Sequence, residues 1–98
     1  MNDSKTFQDF QKLMQTIFFE RDKKRGVSST FIWLIEEIGE LAKAIRKNDS
    51  DNIREEFADV FAWLCSLANL SEINLLEVAF EKYPGFCPRC RQKKCKCT

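Results

Sequence analysis

The sequence predicts an all-α fold, an antiparallel bundle of about four helices assembled as an oligomer. Two observations carry this. Prolines occur only at 84 and 88 and glycines only at 26, 39 and 85, so the interval 27–83 is nearly free of helix breakers. Within it, apolar residues recur at helical spacing rather than in the alternation of a strand. The breaks that remain are short, and short connections favour antiparallel neighbours. At 98 residues the helical body makes one small domain, expected over 1–85, followed by a Cys-rich basic tail over 86–98.

The first helix is expected at about 5–23, with Phe7, Phe10, Leu13, Met14, Ile17 and Phe18 on its apolar side. "KKRGVSS" ends it; "KKR" reads as a solvated helix end, and Ser28 or Ser29 as the N-cap of a second helix running to about Lys47. "NDSD" is a turn rich in capping residues and opens a third helix over about 51–70. Ser71 is the expected cap of a short fourth helix ending before "YPG".

Composition excludes several functions. The chain has no histidine, which removes Ser-His-Asp and Cys-His catalysis and HExxH zinc sites. No Gly-rich phosphate loop is present. No run approaches the ~18–20 apolar residues of a membrane span, and the start "MNDSKTFQDF" is not a signal peptide, so a cytoplasmic protein without a membrane partner is expected. Residues 1–85 carry 11 Lys+Arg against 15 Asp+Glu, whereas 86–98 carry five basic side chains and no acid. An acidic body argues against nucleic acid as a partner.

The second helix carries "WLIEEIGEL" at 33–41, with three glutamates in an otherwise apolar run. At 100° per residue, Phe31, Leu34, Ile38, Leu41 and Ile45 form an apolar stripe, with Glu37 and Glu40 beside it on the side of Trp33 and Ala44. On the third helix the stripe is Ile53, Phe57, Val60, Leu64 and Leu67. Glu56 falls inside it, while Asp59 flanks it next to Trp63. An unpaired carboxylate in a packed stripe costs several kcal/mol by order of magnitude. In an antiparallel hairpin, residues at equal height have numbers adding to a constant. Trp33 with Trp63, Glu37 with Asp59, and Glu40 with Glu56 share one constant, which centres the turn on Asn48. The two acid sets therefore face each other. Four anions share a small site only when protonated or neutralised by metal, and Mg²⁺ or Mn²⁺ suits oxygen ligands. Salt bridges to Lys43, Arg46 or Arg54 are the structural alternative, but they explain neither the mirror spacing nor Glu56. Glu36 points away from the stripe and reads as solvated. Trp33 and Trp63 read as core or subunit contacts, with base stacking as the alternative.

These residues resemble a known family. E-E-x-x-E at 36–40 with E-x-x-D at 56–59, inside "LIEEIGELAKAI" and "EEFADVFAWL", looks like the signature of MazG-type nucleotide pyrophosphohydrolases. "ERD" at 20–22 resembles the upstream segment, and the likeness spans roughly 7–85. It implies an all-α dimer or tetramer built around Mg²⁺, an enzyme that cleaves nucleoside triphosphates to a nucleoside monophosphate and pyrophosphate. It also implies Glu37, Glu40, Glu56 and Asp59 as metal ligands, and assigns no catalytic residue beyond them. Family members often carry a longer basic segment before their counterpart of "YP". Here Lys82 stands alone in "AFEKYPG", either a phosphate contact or a solvated helix end.

The tail "CPRCRQKKCKC" holds Cys87, Cys90, Cys95 and Cys97. Its C-P-x-C half looks like a zinc knuckle, and four thiolates suit structural Zn²⁺. The C-x-C half is tighter than usual zinc spacing, so disordered thiols or disulfides remain open. Cys65, in mid-helix, reads as a small buried hydrophobe. The rival function is a non-enzymatic helical dimer that presents this tail to a partner.

Overall fold

The computed structural model describes residues 5–98, so residues 1–4 of the expected helical domain lie outside it. Four helices follow one another: α1 (Phe7–Arg25), α2 (Val27–Arg46), α3 (Ser50–Leu70) and α4 (Leu75–Lys82). No strand occurs among the described residues, and no helix is long and apolar enough to cross a membrane.

Each boundary has a local cause. Thr6 and Asp9 form a capping box at the start of α1, each side chain accepting the other's backbone N–H at 3.0 and 3.2 Å. "KKR" remains helical, and α1 stops only at Gly26, whose φ of +87° an L side chain rarely adopts. Ser28 and Ser29 are not caps. They are exposed residues of α2, which begins at Val27 because Gly26 alone separates the two helices and has no side chain to cap with. The carbonyl of Gly26 accepts the first α2 hydrogen bond, from Thr30 at 3.0 Å.

Asn48 makes the turn after α2 in the left-handed region at φ +54°, and Asp49 caps α3 by accepting the Asn52 N–H. Ser71 likewise differs from expectation. It closes α3, its hydroxyl donating to the Leu67 carbonyl at 2.9 Å, and Asn74 caps α4 by accepting the Glu77 N–H at 3.0 Å. Glu72, at φ +56°, supplies the reversal between them. A serine this close to a helix C-terminus bonds back to its own last turn rather than forward.

The α2–α3 hairpin is the main packing unit; α1 lies on α3, and α4 on α1. The core is small, with Met14, Leu34, Ala44, Cys65 and Ala68 buried. Of the expected α2 stripe only Leu34 is buried, and Leu41 is half-buried, whereas Phe31, Ile38 and Ile45 are about half exposed. On α3, Phe57 and Leu64 also face outward. The face of α2 that meets α3 is instead Thr30, Leu34, Glu37, Leu41 and Ala44, which places an acid in the seam itself.

Candidate metal centre

The seam between α2 and α3 carries the acids. The antiparallel register follows the mirror spacing: the indoles of Trp33 and Trp63 stack with centroids 5.8 Å apart and planes 14° from parallel. One helical turn further along, carboxylate oxygens of Glu37, Glu56 and Asp59 lie within 4.8 Å of one another. Glu37 and Glu56 are half-buried and Asp59 is exposed, so the group opens to solvent on one side.

Glu56 is the residue under most stress. Its Oε1 is shut off from solvent and has no hydrogen-bond partner. Its pKa is pushed up to about 7, first by desolvation, then by the adjoining Glu37 carboxylate and by the charges of Asp59 and Glu40. Among the described residues no cation pairs with this charge. The only ion pair among the described residues joins Arg25 to Asp22 at 2.8 Å, and Lys43, Arg46 and Arg54 make none with the acids. An orphaned, desolvated oxygen among convergent carboxylates matches the donor chemistry of a hard divalent cation.

Glu40 is exposed and stands outside the group of three, although close enough for its charge to raise Glu56. Glu36 is exposed, as expected. Lys82 ends α4 with its ammonium 5.9 Å from the centre of the Tyr83 ring, away from the acid-lined cavity described next.

A cavity of about 250 Å³ adjoins the acids between α1 and α3, walled by Met14, Phe18, Asp22, Arg25, Asp59 and Trp63. Asp59 belongs to both cavity and carboxylate group. Asp22 is 2% exposed; its Oδ1 accepts the Arg25 bond while Oδ2 has no partner. The Arg25 guanidinium sits 4.7 Å from the Trp63 ring centre, so it is a wall of the site and not a solvated helix end. In the sequence, Arg25 reads only as part of a solvated helix end and Asp22 only as part of "ERD", and neither is given a role in the site. Their i,i+3 spacing at the end of α1 was the available signal. A more open depression of about 470 Å³ over Gln8, Gln11 and Asn74 is larger but has no convergent acids.

In the tail, Cys87, Cys90, Cys95 and Cys97 also gather, their Sγ atoms all within 4.8 Å. All are free thiols, as is Cys65, which is fully buried with its thiol pushed up to about 11 by desolvation.

The sequence model of the MazG nucleotide pyrophosphohydrolase domain matches residues 25–91. That span holds α2, α3 and all four candidate metal ligands, and it reaches past Cys90. No curated protein matches the chain.

Proposed function

Because the chain belongs to the MazG nucleotide pyrophosphohydrolase family, we propose that it hydrolyses nucleoside triphosphates to a nucleoside monophosphate and pyrophosphate, with Mg²⁺ held by Glu37, Glu40, Glu56 and Asp59. The observation that carries this is Glu56 Oε1, buried in the helix seam with no partner and surrounded by like charge. A protein that needed only packing would place an apolar side chain there.

The residues divide the work. Glu37, Glu56 and Asp59 supply the convergent oxygens, and a rotation of the exposed Glu40 side chain adds a fourth. A divalent cation held there supplies Lewis acidity toward phosphate oxygens and the means to activate water. It also lets an acidic body bind a polyanion. The nucleoside end enters the neighbouring cavity, where Trp63 offers an aromatic face and Met14 and Phe18 exclude water. Arg25 is held against that wall by Asp22, leaving its remaining N–H groups to the substrate. The non-enzymatic alternative, a helical dimer presenting the tail, leaves Glu56 without a reason.

The test is a panel of nucleoside triphosphates incubated with the protein, with and without Mg²⁺, and assayed for both products. Equal amounts of nucleoside monophosphate and pyrophosphate are expected, only with metal. Release of orthophosphate, or turnover undiminished by chelation, refutes the proposal.

A further inference from the structure

The final segment has no means of folding by hydrophobic burial. From Cys87 to Thr98 it contains no helix, no strand and no buried residue. It carries Arg89, Arg91, Lys93, Lys94 and Lys96, all exposed, with no acid among them. A short run of like charge expands in water. Here it is folded back on itself instead.

The fold-back is built from the cysteines. The Cys87 N–H donates to the Gln92 carbonyl at 2.9 Å, and the Arg91 N–H donates to the Cys87 carbonyl at 2.8 Å. Arg91 turns the chain at φ +61°, immediately after Cys90. Backbone amides then point at sulfur: Lys96 N–H to Cys90 Sγ and Cys97 N–H to Cys95 Sγ, both at 3.4 Å. Such bonds are the outer support of a metal thiolate centre, fixing each ligand and dispersing its charge.

The sulfur spacing speaks against a disulfide between Cys87 and Cys97 and is of the size a metal thiolate centre needs. Cys87 and Cys97 Sγ are 3.9 Å apart, far beyond the ~2.05 Å of a disulfide. Four thiolates at ~2.3 Å from one tetrahedral centre lie ~3.8 Å from each other. We propose that Cys87, Cys90, Cys95 and Cys97 form a four-thiolate Zn²⁺ site that folds the C-terminal segment and is separate from the carboxylate centre.

Ligand chemistry keeps the two sites apart. Oxygen donors in the helix seam take a hard cation, and the sulfur set takes a softer one such as zinc. Zinc binding displaces thiol protons and replaces four potential anions with a centre of net charge −2, which the five surrounding cations balance in excess. The loaded segment is then a compact knuckle with a basic surface. The site needs no part of the pyrophosphohydrolase reading and stands if that reading fails.

The experiment uses the full chain, purified reduced and without chelator, then incubated with Zn²⁺ or Co²⁺ and desalted. About one zinc per chain is expected, because a closed four-thiolate site holds one. The Co²⁺ form should show thiolate-to-metal charge transfer and tetrahedral d–d bands, which oxygen ligation at the acids does not give. Cys90→Ser should lose at least ~10-fold in zinc affinity and show a weaker charge-transfer band, because three thiolates remain, whereas Glu56→Gln and Lys93→Ser keep both at the parent's level. Circular dichroism on each variant confirms that the helices remain. Desalted parent protein without zinc, zinc retained unchanged in Cys90→Ser, or Co²⁺ spectra lacking sulfur ligation would each overturn the site.

Discussion

Trp33 and Trp63 stack in near-parallel contact across the α2–α3 seam, 30 residues apart in sequence and opposite one another in space. They are the outermost rung of a mirror-image ladder whose inner rungs are acidic. The Arg25 guanidinium also lies against Trp63, so this indole joins all three long helices. Trp33 is half exposed, and its removal should cost the stacking term, about 0.5–1.5 kcal/mol, in addition to the burial of its covered half. Trp63→Ala should do more, opening the cavity wall and freeing Arg25. Steady-state kinetics should show KM for the triphosphate rising more than kcat falls. Equal losses in both for the two tryptophans would assign them to the fold alone.

Glu56 can be tested by removing its charge and its polarity together. Glu56→Leu takes a desolvated carboxylate from a cluster of acids and replaces it with apolar surface. In the absence of metal the variant should melt no lower than the parent. The same variant should lose the thermal shift that Mg²⁺ gives the parent, and more than about 100-fold in activity, since even outer-shell partners of a metal are worth 10–100-fold. Melts of both proteins with and without Mg²⁺ decide the matter. A variant that unfolds readily yet stays active means that Glu56 serves packing.

The pH dependence has a definite sign. Glu56 is raised from 4.5 to about 7, so the folded chain holds a proton that the unfolded chain has already released over that interval. Metal-free stability attributable to Glu56 is therefore full below about pH 4.5 and declines as pH rises through 7. Mg²⁺ binding runs the other way, because the cation needs the deprotonated acid, and its stabilisation should grow from pH 6 to pH 8. Thermal melts across this range should show both trends in the parent. Glu56→Gln, which cannot titrate, should flatten the metal-free trend; an unchanged slope would place the titration elsewhere.

A second long-range link was invisible in the sequence. Gln11 and Asn69 are both buried, and Gln11 Nε2 donates to Asn69 Oδ1 at 2.9 Å while Asn69 Nδ2 donates to the Gln11 carbonyl at 3.0 Å. Gln11 also donates to the Ile73 carbonyl at 2.6 Å and accepts from the Leu75 N–H at 2.9 Å, which ties α1 to the α3–α4 connection. Asn69→Ala strands buried polar groups and should cost about 2 kcal/mol in denaturant unfolding. A change under half a kcal/mol would mean that water replaces the lost partner.

What was legible and what was not have a common physical origin. Helix order, the "NDSD" turn and the convergence of Glu37, Glu56 and Asp59 follow from periodicity and from antiparallel register, both of which are arithmetic on residue numbers. Asn74 as the cap of α4 is not legible because several adjacent residues can cap, and the start of α2 at Val27 is not legible because Gly26 separates the helices without any side-chain cap. Gln11, Asn69, Asp22 and Arg25 look like ordinary surface residues in sequence, since their burial depends on how α1 crosses α3. Periodicity places the apolar stripes but does not say which element covers them. Within the single chain the seam that carries the acids packs instead, and Phe31, Ile38, Phe57 and Leu64 stay outside.

Those stranded residues make the last prediction. In the sequence, Phe31, Ile38 and Ile45 each stand one residue after a seam position of α2, as Phe57 and Leu64 do on α3. One residue is a turn of 100°, and because the helices run in opposite directions the two rotations bring both sets to the same face of the hairpin. The helix α1 packs on α3 from the other side, so this apolar face has no cover among the described residues. The surface area agrees. A compact monomer of 11.5 kDa should expose about 5,800 Å², yet the chain exposes 8025 Å². Its radius of gyration, 15.9 Å, likewise exceeds the ~12.6 Å expected of a compact domain this size. Part of the excess is the exposed tail after Lys82, and the uncovered α2–α3 face supplies apolar area of the kind that oligomer interfaces bury. The protein should therefore be a dimer, or a dimer of dimers, at micromolar concentration, paired through the α2–α3 face. Ile38→Glu places a charge at the centre of that face and should shift light scattering toward the monomer while lowering Tm. A monodisperse parent monomer would sink the prediction, as would an Ile38→Glu variant of unchanged mass.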